Sequence, residues 1–316
     1  MENSRRDFMR TLLASMGAAT FSPLLLQATP PKEWFEISLA EWSLHKAIFA
    51  GELDNLDFPA FAKNTFDIDI VEYVNTCFRS KNKGFKENGA DKAYLAELLK
   101  RTKDLGVRNH LIMCDAEGNL GDADAKKRKE AVENHYKWVE AAAILGCQTI
   151  RVNAAGVGTA EEVAKNAADG LFMLGEHAAK SKINVIVENH GSYSSNGKWL
   201  SGVMKSVNLK NVGTLPDFGN FCIKRNKDNW RVCEDGYDRY IGTEELMPFA
   251  KGVSAKANGF KPNGDEIEMD YARLLKIVKK AGFKGIIGIE YEGDELSEVD
   301  GIKATKALLE RLRKTV

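Results

Sequence analysis

Several short runs in this 316-residue chain end apolar segments in side chains that can move protons or hold cations. Ile186–His190 reads IVENH, Leu215–Asn220 reads LPDFGN and Val253–Asn258 reads VSAKAN. Ile286–Gly293 reads IIGIEYEG and Thr149–Asn153 reads TIRVN. Side chains alternate along an extended chain. Glu188 and His190 therefore share a side with Ile186, while Val185 and Val187 take the other. Glu290 and Glu292 lie opposite Ile287, Ile289 and Tyr291, and Ser254, Lys256 and Asn258 share a face, as do Arg151 and Asn153. Asp217 closes its own run. If Glu188, Asp217 and Glu290 converge, three like charges repel and need shared protons or a cation. A divalent metal ion such as Mn2+, Mg2+ or Zn2+ meets that need, because carboxylate oxygens suit such cations. The plain alternative pairs each carboxylate with a lysine or arginine. For three acids at corresponding strand ends, the metal is the preferred reading.

The elements that must position these residues alternate to the end of the chain. Strand-like runs cover 35–44, 66–74, 107–115, 147–154, 183–190, 211–218, 252–260 and 285–293, each rich in Ile, Val or Leu and bounded by Gly, Asn or Asp. Helical spacing covers 91–106, 131–146, 159–182, 270–282 and about 299–313. Gly106 and Gly146 stand where C-caps are expected, and Thr159 with Glu162 predicts a capping box. Eight βα units predict an α/β fold, a single-domain (β/α)8 TIM barrel over 31–316. An open doubly wound sheet would show a Gly-rich turn after its first strand, and none is present. Active sites of such barrels lie at the carboxyl ends of the strands, where the acids above fall. Trp42 and His45 after the first strand and Glu72 at the second are candidate rim contacts to a substrate, with packed or ion-paired roles as the alternative. The run 115–130 reads as a polar loop leading into a helix. His110, His135 and His177 read as structural or solvated.

Composition narrows the classes. Hydrophobic residues make up 44% and charged residues 28%, ordinary for a globular protein. Lys+Arg and Asp+Glu are both 45, and this balance argues against a nucleic-acid partner. Five cysteines without a C-x-x-C exclude zinc-finger and thioredoxin readings. Most read as buried small hydrophobes, with a Cys222–Cys233 pair across a loop as the alternative. Residues 1–30 are expected to form a signal peptide. Arg5 and Arg6 in SRRDFMR precede an apolar stretch from Thr11 to Leu26, and LQA ends at Ala28, a pattern similar to the bacterial twin-arginine (Tat) export signal. The expected location is periplasmic or secreted. No other segment approaches 18 continuous apolar residues, so no membrane association is expected after its removal.

The mature chain resembles the xylose-isomerase-like TIM-barrel superfamily of sugar phosphate isomerases and epimerases, which also holds the AP endonucleases. The resemblance rests on VENHG, PDFGN, VSAKANGF and GIEYEGDELSEVDGIKATKALLE in that order, with ISLAEWSLHK and LGCQTIRVNAAG. It implies a metal held by a glutamate on strand five, an aspartate on strand six, a histidine on strand seven and a glutamate on strand eight. Glu188, Asp217 and Glu290 match three of these. It further implies that Glu188 and Glu290 are the catalytic acid/base pair, working through a metal-stabilised enediolate on a carbohydrate substrate. Ser254 stands where the strand-seven histidine is expected, and Asn220 where a D-x-x-H histidine is common. His190 then becomes a candidate replacement metal ligand or a substrate contact. Arg151, Asn153 and Lys256 are candidate binders of sugar hydroxyls or an oxyanion, with interior ion pairs as the alternative. The trinuclear zinc site of the endonucleases is unmatched, which excludes DNA repair. An unphosphorylated sugar or 3-keto sugar is the expected substrate, since phosphosugars are cytoplasmic. A lyase acting on 3-keto glycosides and a non-catalytic carbohydrate-binding barrel are the alternatives. An oligomer is left open.

Overall fold

The computed structural model describes residues 33–78, 91–230 and 232–316. The expected signal peptide at 1–30 lies outside them. Eight parallel strands form the barrel: β1 (Glu36–Ala40), β2 (Ile70–Val74), β3 (Arg108–Met113), β4 (Thr149–Val152), β5 (Asn184–Glu188), β6 (Val212–Leu215), β9 (Val253–Ala257) and β10 (Ile286–Tyr291). A small antiparallel hairpin, β7 (Cys222–Arg225) with β8 (Cys233–Gly236), sits in the connection after β6. The sheet runs β6-β5-β4-β3-β2-β1-β10-β9. Two parallel bridges, Thr214 to Ala250 and Asp217 to Ser254, close the seam between β6 and β9. The barrel is thus sealed beside two of the residues singled out above.

These strands are short and β-branched because both faces are covered. Val71, Ile150, Val185, Val187, Val253, Ala255, Ile287 and Ile289 are buried in the continuous apolar core. Each fully buried Val, Leu or Ile contributes about 1.5–3 kcal/mol by leaving water. The helices are fixed by local chemistry. Asp91 caps helix 92–105, Gly106 ends it at φ +65°, and Thr159 forms the expected capping box on helix 160–179. Helix 271–280 buries Tyr271, Leu274, Leu275 and Val278 on one face.

Two expectations change. The first strand run, expected over 35–44, stops at Ala40, and 41–49 is helical, so Trp42 and His45 sit on tight helical turns after it. The helix expected at 131 begins at Ala125, because Asp124 accepts from the backbone N–H groups of Lys126 and Lys127. Cys222 and Cys233 are joined in a disulfide across the β7–β8 hairpin, while Cys77, Cys114 and Cys147 are buried and free. Barrel helices at 58–66, 197–207 and 239–246 add to those expected. Among the described residues no helix is long and apolar enough to cross a membrane.

Candidate active site

The mouth of the barrel is built around the β5–β6–β9 seam. Strand β6 ends at Leu215, one residue before Pro216, which has no N–H for ladder pairing. A side chain takes over there: Asn189 accepts from the Asp217 N–H at 2.8 Å and donates to the Asp217 carbonyl at 2.9 Å. This amide pair fixes Asp217 against β5. Asp217 Oδ1 then accepts from the N–H groups of Gly219 and Asn220, both at 2.8 Å. The turn brings the Asn220 amide back to donate to Glu188 Oε1 at 2.8 Å. Across the seam, the Ser254 hydroxyl lies 2.6 Å from Asp217 Oδ2 and 3.0 Å from Glu290 Oε2. One hydroxyl carries one proton. Both short contacts are therefore satisfied together only when one of the two carboxyls is itself protonated.

Two cations complete the interior. Arg151 Nη1 reaches Asp115 Oδ1 at 2.7 Å, and its Nε lies 2.9 Å from Glu188 Oε2. Lys256 Nζ lies 3.2 Å from Glu290 Oε1 and 3.1 Å from Glu292 Oε1. Glu72 lies deeper and accepts from Ser38 at 2.6 Å. Gly288, two residues before Glu290, leaves room for it: a Cβ there would stand 2.7 Å from Glu72 Oε1. Among the described residues, Glu72, Glu188, Asp217 and Glu290 are buried together with Arg151 and Lys256. Arg151 and Lys256 also face Asp115 and Glu292, so carboxylates outnumber cations at the site.

That imbalance governs protonation. Burial raises Glu188 to about 7, with Arg151 opposing and Glu290 adding to the rise. Burial likewise raises Asp217 to about 7, against the pull of Lys256. Glu72 rises to about 7 by burial, opposed by the Ser38 hydrogen bond and helped by Glu290 and Glu188. Glu290 is the exception: burial opposes its charge, but Lys256, then Arg151 and Ser254, hold it below the ordinary carboxylate value. Lys256 stays charged despite burial because Glu290, Asp217 and Glu292 surround it.

A metal ion fits this donor set. Glu188, Asp217 and Glu290 each offer an oxygen, and these atoms lie within 4.8 Å of one another. Glu188 Oε2 is buried without a hydrogen bond, since Arg151 Nε is close but misaligned and is itself unbonded. That oxygen keeps its hydrogen-bonding capacity unused.

The other expected residues are spread around the site and beyond it. His190 is exposed at the rim and is not in the trio, its N–H donating to Ser194 Oγ at 3.0 Å. Asn153 donates to Asp115 at 2.9 Å. Trp42 and His45 stack at 4.7 Å beside Phe49, on the helical turns after β1. Glu72 is a buried member of the cluster instead of a rim group. His110 and His135 are buried, and His177 stacks on Tyr136. Asp115, Asn189, Asn220 and Glu292 were not singled out as site residues in the sequence. Asp115 ends its strand run as the other acids do, which was the available signal.

The chain shares its fold with several solved structures. The IOLI protein with a bound zinc atom superposes at a TM-score of 0.66 with 15% identity, covering 89% of this chain and 98% of that one. The 3-keto-D-glucoside 4-epimerase YcjR from E. coli superposes at 0.59 with 14% identity, covering 88% and 99%. A xylose isomerase-like TIM barrel protein from Mycobacterium smegmatis in complex with magnesium superposes at 0.59 with 14% identity, covering 84% and 88%. A comparison with curated protein sequences gave no match. Residues 65–315, most of the chain, match the family described as xylose isomerase-like TIM barrel, and the chain belongs to that family.

Proposed function

We propose that the chain is a metal-dependent sugar isomerase or epimerase that moves a proton at a carbon next to a carbonyl. The observation that carries this reading is the buried convergence of Glu188, Asp217 and Glu290 within 4.8 Å. These three residues would hold a divalent ion, and their all-oxygen donor set favours Mn2+ or Mg2+ over Zn2+. Such an ion, when bound, polarises the carbonyl and hydroxyl oxygens of a sugar. The protein side chains supply the proton transfers. Glu188 and Glu290, which would both be ionised with the ion bound, are the pair suited to take a proton and give it back. They stand on β5 and β10 with β6 and β9 between them, so a substrate in the mouth faces both. Arg151 and Lys256 stand ready to meet negative charge developing on substrate oxygen. The sugar-epimerase neighbour above supports the substrate class.

The test is solvent deuterium uptake next to the carbonyl of free ketoses and 3-keto glucosides, with Mn2+ supplied. Glu188→Gln and Glu290→Gln are each expected to slow uptake by about 100-fold or more. Aglycone release without an epimer would replace this reading with elimination. Unchanged sugar affinity in Glu188→Gln, with no turnover by the native chain, would replace it with a binding barrel. Export to the periplasm is part of the proposal, supported by Arg5–Arg6 and by the Cys222–Cys233 disulfide, which suits an oxidising compartment. Cell fractionation that finds the chain only in the cytoplasm would count against it.

A further inference from the structure

Between the loops after β4 and β5 lies a cavity of about 80 Å3 lined by Asn153, Val163, His190, Tyr193 and Ser194 among others. It adjoins the acidic cluster through His190, two residues beyond Glu188, and through the chain Asn153–Asp115–Arg151–Glu188. That volume holds two or three waters, at roughly 30 Å3 each, or a hydroxymethyl end.

Its chemistry is selective. The Asn153 amide donates to Asp115, yet Asn153 Oδ1 is buried with no hydrogen-bond partner. A buried acceptor left unmade is costly, so this atom asks for a donor such as a hydroxyl. Among the described residues, no lysine or arginine lines the cavity. Part of the backbone around the cavity is already committed. The chain turns through left-handed conformations at Gly191 (φ +79°) and Ser192 (φ +52°), but the N–H groups just before the bend are taken. His190 N–H donates to Ser194 Oγ at 3.0 Å and Gly191 N–H to Ser195 Oγ at 2.9 Å. Ser195 is tied in turn to the Asn220 carbonyl at 2.8 Å, so the loop is preformed around the cavity. A terminal phosphate here would meet no lysine or arginine among the described residues.

We propose that this cavity is a subsite for the uncharged, hydroxyl-bearing end of the substrate, with Asn153 Oδ1 as acceptor, so that the site takes unphosphorylated sugars or glycosides and rejects terminal phosphates. The proposal rests on the sugar reading given above. Its test uses the full chain with Mn2+ in D2O, following deuterium uptake by NMR for two pairs: D-fructose with D-fructose 6-phosphate, and 3-keto-D-glucose with its 6-phosphate. The neutral member of a pair is expected to be exchanged with a kcat/KM at least tenfold higher. Asn153→Ala is expected to raise KM for the neutral sugar by about fivefold to tenfold, the loss of one hydrogen bond, with kcat little changed. Preference for the phosphorylated member overturns the subsite and leaves the isomerase reading standing. A fall in kcat without a change in KM in Asn153→Ala also overturns it. Exchange in none of the four sugars overturns both. The comparison of the pairs needs no variant, so it holds even if Asn153→Ala folds poorly.

Discussion

Replacing Lys256 with methionine would remove one of the two interior cations while keeping much of the side-chain volume. Lys256 and Glu290 are both 4% exposed and 3.2 Å apart. At that distance, with an effective dielectric of about 20, their attraction is about 5 kcal/mol. Removing one partner of a buried pair costs about 3–5 kcal/mol because the other charge is stranded, and the two magnitudes agree. At about 2 °C per kcal/mol for a large domain, the melting temperature of the metal-free protein should fall by about 6–10 °C at pH 8. The loss must depend on pH. In the native chain Glu290 is held below its ordinary value, so it contributes stability that is complete above the ordinary carboxylate range and lost as pH falls through its folded value. Without Lys256, burial and its acidic neighbours push it up, and its ionisation then opposes folding as pH rises. The deficit should therefore grow between pH 5 and pH 8, by up to about 1.4 kcal/mol per pH unit. Thermal unfolding followed by circular dichroism in EDTA at both pH values measures this. A shift below about 2 °C at pH 8, or equal shifts at the two pH values, would refute the placement of Lys256 as the counter-charge of Glu290.

Two further outcomes follow from the same cluster and its surroundings. Glu72, Glu188 and Asp217 are raised to about 7, so their protonated forms stabilise the metal-free fold below the ordinary carboxylate range, and that stability is lost as pH rises through 7. Mn2+ requires the ionised forms, so the stabilisation it gives should grow over this same window and reach about 2.7 kcal/mol at 100 times its Kd; calorimetric melting with and without Mn2+ at pH 5 and 8 checks it, and a gain as large at pH 5 as at pH 8 argues against the trio as the ligands. The Cys222–Cys233 disulfide closes a hairpin that begins two residues after Asn220, the donor to Glu188. Cys222→Ser with Cys233→Ser is expected to cost about 2–3 kcal/mol locally and to raise hydrogen exchange across 220–236, while unchanged exchange there would show that the hairpin is held by other contacts.

The barrel and its trio of acids were legible in the sequence because parallel barrel strands obey a simple rule. Their outer faces must be apolar to pack against helices, so any acid on the alternate face points inward, and the strand ends locate it at the mouth. Glu188, Glu290, Ser254 and Lys256 follow this rule within regular strands, and their placement follows from alternation alone. The rule is silent where the backbone leaves the ladder. Asp217 lies beyond the end of β6, held by the Asn189 amide, and nothing in a period of two says that an asparagine side chain will replace a strand hydrogen bond. Asn220 reaches Glu188 only because Asp217 folds the following turn. Residues 41–44, Trp42 among them, left the strand because the chain turns helical at Glu41, whose buried carboxylate accepts from Asn55 and from the Val74 N–H, contacts made by residues 14 and 33 positions away. Glu72 was placed at the rim because alternation gives the face of a residue but not its depth. Depth depends on stagger around the barrel, which only the paired registers supply: Glu72 stands level with Ala40 on β1, and beneath Glu290 through the gap left by Gly288. The candidate metal ligands are therefore set largely by local pattern. The contacts that determine their protonation are set by tertiary stagger and by side chains standing in for backbone at the seam. Substitutions at Asn189 and Asn220, neither of which offers a charge, should therefore disturb the site through the positions of Asp217 and Glu188, while substitutions at Lys256 and Arg151 should disturb it through charge.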